Sequence, residues 1–491
     1  MGRLSPLTTI STTLKNIKIP YPTEGVIRSA QINDTVTPEN SVQLAINMNF
    51  DRVGGIMTRP GIATLATQRA GSITSLATLN IQGGVKKLFS QVGTDISVWT
   101  GTVWSSVRTT TVSTKARFSQ FLNYLYMVNG TDALQASNGG AFSAVAGFVP
   151  TTTMPVGNFI NSGFDGRIWI ANAVNDALYY SDIVQFTPPS TYSITYNASN
   201  FIKNLSPEDG ESITGLFRVP RALLVFKQNH IFRVYSASNV DPYPAYNVGT
   251  YSQESIVQAK DGLYFHHSSG FYKFNYDGQP TEISRRVIDF VKAIPRANYE
   301  NIVGIYDGFD SVKWSVGPIT VEGVTYDNCQ MRYSISTQVW TIYDYDVNAI
   351  TALVRFDDGT TIEQVAGTSV GKIVKLDSGT DDLGQPISYE LIDRWRSYTE
   401  MYSHAKSISG IMVSSENAGG ARLHYQNEKS PPNQWQYIDT VSDQYDALFP
   451  NANTDDFNAS RFRLEGTTTG TPVLIHGFEL LSIQDKGLDQ N

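Results

Sequence analysis

At 491 residues the chain has room for two or three domains, or for one large all-β body with an appendage, which excludes peptide-hormone and small disulfide-scaffold classes. Lys+Arg 37 and Asp+Glu 45 make only 17% of the residues and leave a net charge of −8. A surface so poor in charge suits a β-rich chain or a subunit with much of its surface inside an assembly. The acidic balance argues against a sequence-reading nucleic-acid binder, which needs a basic footprint, but not against DNA sliding past without sticking.

The single cysteine, Cys329, excludes an intramolecular disulfide and a CxxC metal site. The N-terminal run MGRLSPLTTISTTLKNIKIP lacks the apolar stretch of a secretory signal, and no segment reaches the 18 apolar residues of a membrane-spanning helix. These readings predict a chain made in a cytosol and not inserted in a membrane.

In chain order, Thr37-Pro38 predicts the cap of one short helix, with proline at the first helical position. Strand patterning then dominates. A weak repeat recurs, consisting of a short apolar strand, a polar Gly/Asn/Asp turn and a second aromatic-rich strand: KKLFSQVGTDISVWTG, NYLYMVNGTDALQAS, GRIWIANAVNDALYYSD, RALLVFKQNHIFRVYS, DGLYFHHSSGFYKFN, VKWSVGPITVEGVTYDNCQMRYSIS and IEQVAGTSVGKIVKLD. Leu88, Leu125, Trp169, Val225, Tyr264, Trp314 and Val365 mark seven copies, about 37 to 56 residues apart, around the period of propeller blades. The physical reason is that a four-stranded blade has two apolar faces and cannot bury either alone. Between the fifth and sixth copies, RRVIDFVKAI places Val287, Phe290, Val291 and Ile294 on one helical face. Beyond Trp395 five strand-like runs (SISGIMVSSE, ARLHYQNEK, QWQYIDTV, SRFRLEG and PVLIHGFELLSI) read as a sandwich. The predicted fold is all-β: an N-terminal arm with first strands (1–62), a propeller-like array of β-sheet modules (63–394) and a C-terminal β-sandwich (395–491).

The search for chemistry predicts no catalytic group, metal site or cofactor. GTSVG at Gly367 to Gly371 has the letters of a nucleophile elbow, but strands flank it on both sides, so Ser369 is expected in a hairpin turn. His266 and His267 are strand neighbours that point to opposite faces and cannot chelate together; with His230, His404, His424 and His476 they are expected to be half-exposed strand residues. The acid pairs Glu208-Asp209, Asp357-Asp358, Asp381-Asp382 and Asp455-Asp456 read as solvated turns. The segment DALFPNANTDDFNAS reads as a loop, and Tyr445, Leu448, Phe449, Asp455 and Asp456 mark it as a candidate gate or partner-contact site.

Three segments resemble the tail hub, or nozzle, proteins of short-tailed bacteriophages. They are Asn47-Met48-Asn49-Phe50 leading to Gly55 and Arg59-Pro60-Gly61-Ile62; DGRIWIANAVNDALYYSD at Asp165 to Asp182; and DGESITGLFRVPRALLVFKQNHIFRVYS at Asp209 to Ser236, the most specific. The hairpin GLYFHHSSGFYKF, Ser284-Arg285 and the C-terminal sandwich keep the family's order. The resemblance implies a structural virion protein: a homo-oligomer, hexameric in that family, below the portal and the head-to-tail adaptor, holding tail fibres or spikes and extending a channel for non-specific passage of double-stranded DNA. The rival from another class is a carbohydrate-binding or depolymerising propeller whose exposed aromatics stack on sugars; a second is an intracellular propeller scaffold.

Overall fold

The computed structural model describes residues 15–488 apart from 21, 29–36, 51–54, 82, 85, 146–154, 175, 188–190, 197–198, 204, 206–208, 237–238, 244–246, 277, 346–347, 399–403, 432, 443–444 and 449–456. The chain forms two compact units, neither continuous in sequence: residues 62–332 with 344–378, and residues 1–61 with 333–343 and 379–491. The expected segments therefore interleave. Strands from 1–62 and from 379–394 belong to the same unit as the C-terminal region, because sheet pairing joins them across the length of the chain.

The first unit is a seven-bladed β-propeller. Blade 1 runs Ile73–Asn80, Lys86–Val92, Asp95–Trp99, Trp104–Thr109; blade 2 Arg117–Phe121, Tyr124–Val128, Gln135–Ser137, Ser143–Ala144; blade 3 Phe159–Phe164, Arg167–Asn172, Ala177–Tyr180, Phe201–Lys203. Blade 4 is Gly215–Val219, Ala222–Phe226, Ile231–Ser236, Asn239–Tyr243; blade 5 Val257–Ala259, Gly262–His267, Gly270–Phe274, Thr281–Glu282; blade 6 has Val303–Tyr306, Ser311–Val321 and Val324–Ser334. Blade 7 joins Ile350–Asp357, Ile362–Thr368 and Ile373–Leu376 to a strand from before blade 1, Ala63–Ala66, which pairs antiparallel with Ile373–Leu376. That pairing closes the ring by tying the first strand of the unit to its last blade.

Burial on both faces explains the sequence pattern. Along Tyr124–Val128, Leu125 and Met127 pack on blade 1 whereas Tyr126 and Val128 pack on blade 3. Along Arg167–Asn172, Ile168 and Ile170 face blade 2, and Trp169 and Ala171 face blade 4. Along Ala222–Phe226, Leu223 and Val225 face blade 3, and Leu224 and Phe226 face blade 5. Alternate residues of one strand thus enter two different cores, and an unbroken apolar run is what such a strand requires. All seven repeat markers lie on the second strand of their blades and are buried. The seam between blades 7 and 1 is a core of Ala66, Ile73, Leu88, Ala352, Phe356, Val365 and Ile373.

The helix expected around Val287 to Ile294 is present at Ile288–Ala293, with all four apolar positions buried. Thr37-Pro38 does not begin a helix. The chain turns there, and Ser41 donates its hydroxyl to the Pro38 carbonyl at 2.7 Å, closing a local loop in place of a helical turn.

The second unit contains two sheets. One orders Met48–Asn49, Ile56–Thr58, Leu474–Leu488, Gly410–Glu416 and Tyr445–Leu448; the other contains Trp340–Asp344, Val42–Ile46, Ile387–Asp393, Ser460–Thr468, Arg422–Asn427 and Gln436–Thr440. Within this unit Arg59 is fully buried: Nη1 donates to Asp382 Oδ1 at 2.9 Å and Nε to Asn47 Oδ1 at 2.8 Å. Two residues on, a Cβ on Gly61 would lie 1.9 Å from the Asp381 carbonyl oxygen, so only glycine fits. Asp382 is therefore a buried ion-pair partner and not a solvated turn acid. Arg59→Ala should lower unfolding stability by about 3–5 kcal/mol through the stranded carboxylate, while the double replacement Arg59→Met/Asp382→Leu recovers most of that loss in urea titrations.

Candidate functional site

In each blade the turn between the second and third strands, and the link from the fourth strand to the next blade, lie at the same end of the propeller. That end gathers polar groups from four blades. Their centre is Lys227, the first residue after the apolar strand Ala222–Phe226, whose side chain is completely buried. Its ammonium donates to Asp176 Oδ2 at 3.0 Å, from the blade 3 turn, and to Asp209 at 3.0 and 2.9 Å, from the link between blades 3 and 4. Burying an ammonium without such partners is prohibitive, so this lysine fixes where both acids sit.

A second layer surrounds the first. Glu211 accepts from the Asn229 backbone N–H at 3.0 Å and from the Asn229 side-chain amide, and lies 3.2 Å from His230 Nδ1. Burial pushes the Glu211 carboxyl up, but the Asn229 donors and His230 outweigh it and hold the group below the usual carboxylate range. Asn229 Oδ1 can only accept, so His267 Nε2, 3.1 Å away, carries the proton, leaving Nδ1 to accept from Ser269 at 2.8 Å. His267 is thus a neutral, buried link, and burial lowers its pKa to about 4. Asp209, Glu211 and His230 bring three donor atoms within 4.8 Å of one another.

The same end carries a second cluster on the propeller axis. Arg117 begins the innermost strand of blade 2, and its Nε donates to Glu254 Oε1 at 2.9 Å, with Lys115 3.6 Å from the other carboxylate oxygen. Glu254 belongs to the link between blades 4 and 5. In a ring of seven, blades 2 and 5 are as far apart as two blades can be, so this ion pair crosses the axis. Arg117 also donates to the Asn158 carbonyl at 3.1 Å and lies over the Phe159 ring at 4.3 Å. Burial raises the Glu254 pKa, but Arg117 and Lys115 more than reverse it, down to about 2.

These clusters correct several expectations. His266 and His267 are buried strand residues, not half-exposed ones, and they face opposite ways: His266 packs on Tyr299, in the link between blades 5 and 6, and His267 faces Asn229 of the blade 4 turn. The His266 ring meets Phe271 at 5.0 Å and Tyr299 at 5.1 Å, neither ring nitrogen has a hydrogen-bond partner, and burial lowers its pKa to about 3. Asp209 is buried against Lys227 where a solvated turn was expected. Asp357 and Asp358 do stand in an exposed turn, accepting from the backbone N–H groups of Gly359, Thr360 and Thr361, and Asp357 also pairs with Lys86. His424 and His476 are partly exposed strand residues as expected, 3.0 Å from Glu465 and Glu416 respectively. Ser369 does lie in the hairpin turn between Ile362–Thr368 and Ile373–Leu376. In the proposed gate segment, Tyr445–Leu448 is a strand on Gly410–Glu416, with Leu448 opposite Ile411 and buried, so it is sheet and not loop; Phe449, Asp455 and Asp456 lie outside the described residues. Nothing in the spacing of Asp176, Asp209 and Lys227 announces their meeting. The available signal is a lysine ending an apolar strand, ALLVFK, where burial demands acids nearby.

Glu254 and His266 each give stability that acid removes. Glu254, ionised in the fold down to about pH 2 against 4.5 ordinarily, stabilises fully above pH 4.5 and loses this as pH falls toward 2, a contribution of at most about 3 kcal/mol that Glu254→Gln removes at neutral pH in urea unfolding. His266, neutral in the fold down to about pH 3 against 6.5 ordinarily, makes the unfolded chain bind the extra proton below pH 6.5, so stability declines from there toward pH 3. His266→Phe should shrink the drop in urea midpoint between pH 7.5 and 4.5 by the equivalent of about 2–3 kcal/mol; an unchanged drop would show that the ring is not buried as described.

No family model matches the chain, and no curated protein matches it. Among solved structures it is similar to a streptogramin B lyase (15% identity, TM-score 0.42, 65% of this chain and 97% of that one). It is likewise similar to YCF48 from Cyanidioschyzon merolae (9%, 0.41, 64% and 98%) and BamB from Moraxella catarrhalis (10%, 0.39, 68% and 96%). The propeller assignment rests on the chain's own sheet order and inter-blade cores.

Proposed function

We propose that the chain is a non-catalytic structural subunit of a ring-shaped tail nozzle of a short-tailed bacteriophage, assembled in the host cytoplasm and resident in the virion tail. In this role several copies, six by the resemblance, sit below the portal and adaptor, retain packaged DNA, pass it without reading it, and anchor fibres or spikes. The observation that carries the reading is where the resembling segments fall. Two of them, in blades 3 and 4, contribute Asp176, Asp209 and Lys227 to one buried cluster, and the remaining one supplies Arg59, of the buried ion pair with Asp382, and Gly61, packed on the Asp381 backbone, in the second unit. The likeness therefore covers the joints of the framework. The ion pair across the propeller axis agrees with it: the propeller serves as a solid wall module, and the conduit lies between chains.

The rival reading as a glycan-binding propeller draws on exposed aromatics such as Phe309, 84% exposed, and Tyr437. Electron microscopy of the purified chain with its adaptor separates the two. A sixfold annulus is the expected result; monomers that persist beside the adaptor and bind on a glycan array would overturn the nozzle reading.

A further inference from the structure

The Lys227 ammonium is shared by Asp176 and Asp209, and a third carboxylate, Glu211, stands beside Asp209 and His230, so three carboxylates meet one ammonium, a formal excess of two negative charges. Excess negative charge in a largely desolvated cluster costs free energy, and a bound divalent cation removes it.

We propose that Asp209, Glu211 and His230 form a binding site for a divalent transition-metal ion of the zinc class. One imidazole and two carboxylates are the mixed nitrogen and oxygen donor set that such ions take, and three protein ligands leave a fourth position for water. Metal–ligand distances near 2.0–2.2 Å put the donor atoms of a tetrahedral site about 3.4 Å apart. His230 Nδ1 lies 3.2 Å from Glu211 Oε2 and 3.9 Å from Asp209 Oδ2, so one edge fits as it stands, a second closes by about half an ångström through rotation of a partly exposed ring, and the third, between the two carboxylates, lies within 4.8 Å and closes as they take the ion. The hydrogen bond between His230 and Glu211 would be exchanged for a bond from each to the ion.

The outer partners are already in place. Asn229 fixes Glu211, His267 orients Asn229, and Lys227 holds Asp209, which is how supporting hydrogen bonds orient metal ligands. His230, 39% exposed, supplies the path from solvent. The ion would lock the link between blades 3 and 4 to the blade 4 turn, and it requires nothing of the tail assignment.

The test uses the full chain, treated with a chelator and titrated with Zn²⁺ by calorimetry, with Mg²⁺ as the hard-ion control. Binding of one Zn²⁺ per chain and a higher Tm are expected, with Mg²⁺ giving neither. Co²⁺ should bind with visible bands of tetrahedral coordination. His230→Ala, at a half-exposed position that leaves the blade cores intact, should weaken Zn²⁺ at least tenfold and abolish those bands; Glu211→Gln should do likewise, and His476→Ala should change nothing. Lack of saturable Zn²⁺ binding would mean that Lys227 alone balances the cluster. That outcome, or binding unaffected by both ligand variants, overturns the proposal.

Discussion

A β-sheet four strands wide, apolar on both faces, has no stable existence except between two others like it, and this constraint governs the larger unit of the molecule. Each added blade buries one face and exposes another, so the array is unsatisfied until it closes on itself. Closure here depends on Ala63–Ala66, a strand supplied from before blade 1 to the outer edge of blade 7. The seam core of Ile73, Leu88, Val365 and Ile373 then looks like any other inter-blade core. Because the closing strand comes from the opposite end of the unit's sequence, loosening it releases two blades at once, and the ring unfolds or persists as a whole.

Buried charge has a different distribution from buried carbon. The apolar cores occupy the faces of the blades, whereas Lys227 with Asp176 and Asp209, and Arg117 with Glu254, sit where chains enter and leave the sheets. An ion pair taken out of water contributes little net stability against an apolar replacement, but removing one partner is heavily penalised. Such pairs therefore specify geometry. Lys227 fixes which turn faces which link, and Glu254 fixes the distance between blades across the axis. Apolar packing alone, tolerant of small slides, sets neither.

The sequence made the blades legible and the closure illegible, for one reason. A second strand buried on both faces must be an unbroken apolar run, so Trp169, Val225 and Tyr264 stand out with no knowledge of their neighbours. Ala63–Ala66 is a short edge strand with a mixed pattern of burial, and its partner lies some 300 residues away. The interleaving of the second unit escapes notice for the same reason, since Val42–Ile46 pairs with Ile387–Asp393. Local rules also misplace acids. Asp209 and Asp382 stand in turn-like sequence, yet each faces a buried cation contributed from elsewhere, Lys227 and Arg59, and only the fold brings the opposite charge. Leu448 shows the converse: its neighbours look like loop, but its pairing with Ile411 makes it sheet.

What a passive conduit wall needs electrostatically is narrower than its net charge suggests. At physiological salt, fields decay over about 8 Å, so phosphates passing a surface respond to the groups immediately beneath them and not to a total of −8 per chain. At the propeller end opposite the polar clusters, three lysines are matched locally: Lys86 with Asp357, Lys260 with Asp310 at 2.6 Å, and Lys273 with Asp261 at 2.5 Å. A lysine already held by a carboxylate must give up that partner before it can hold a phosphate, and the exchange brings little gain. Pairing of this kind suppresses attraction to DNA without demanding a strongly acidic surface, whose self-repulsion would oppose packing copies of one chain side by side. A charge-poor, locally neutralised surface satisfies both requirements of the proposed role, assembly into a ring and indifference to what moves through it.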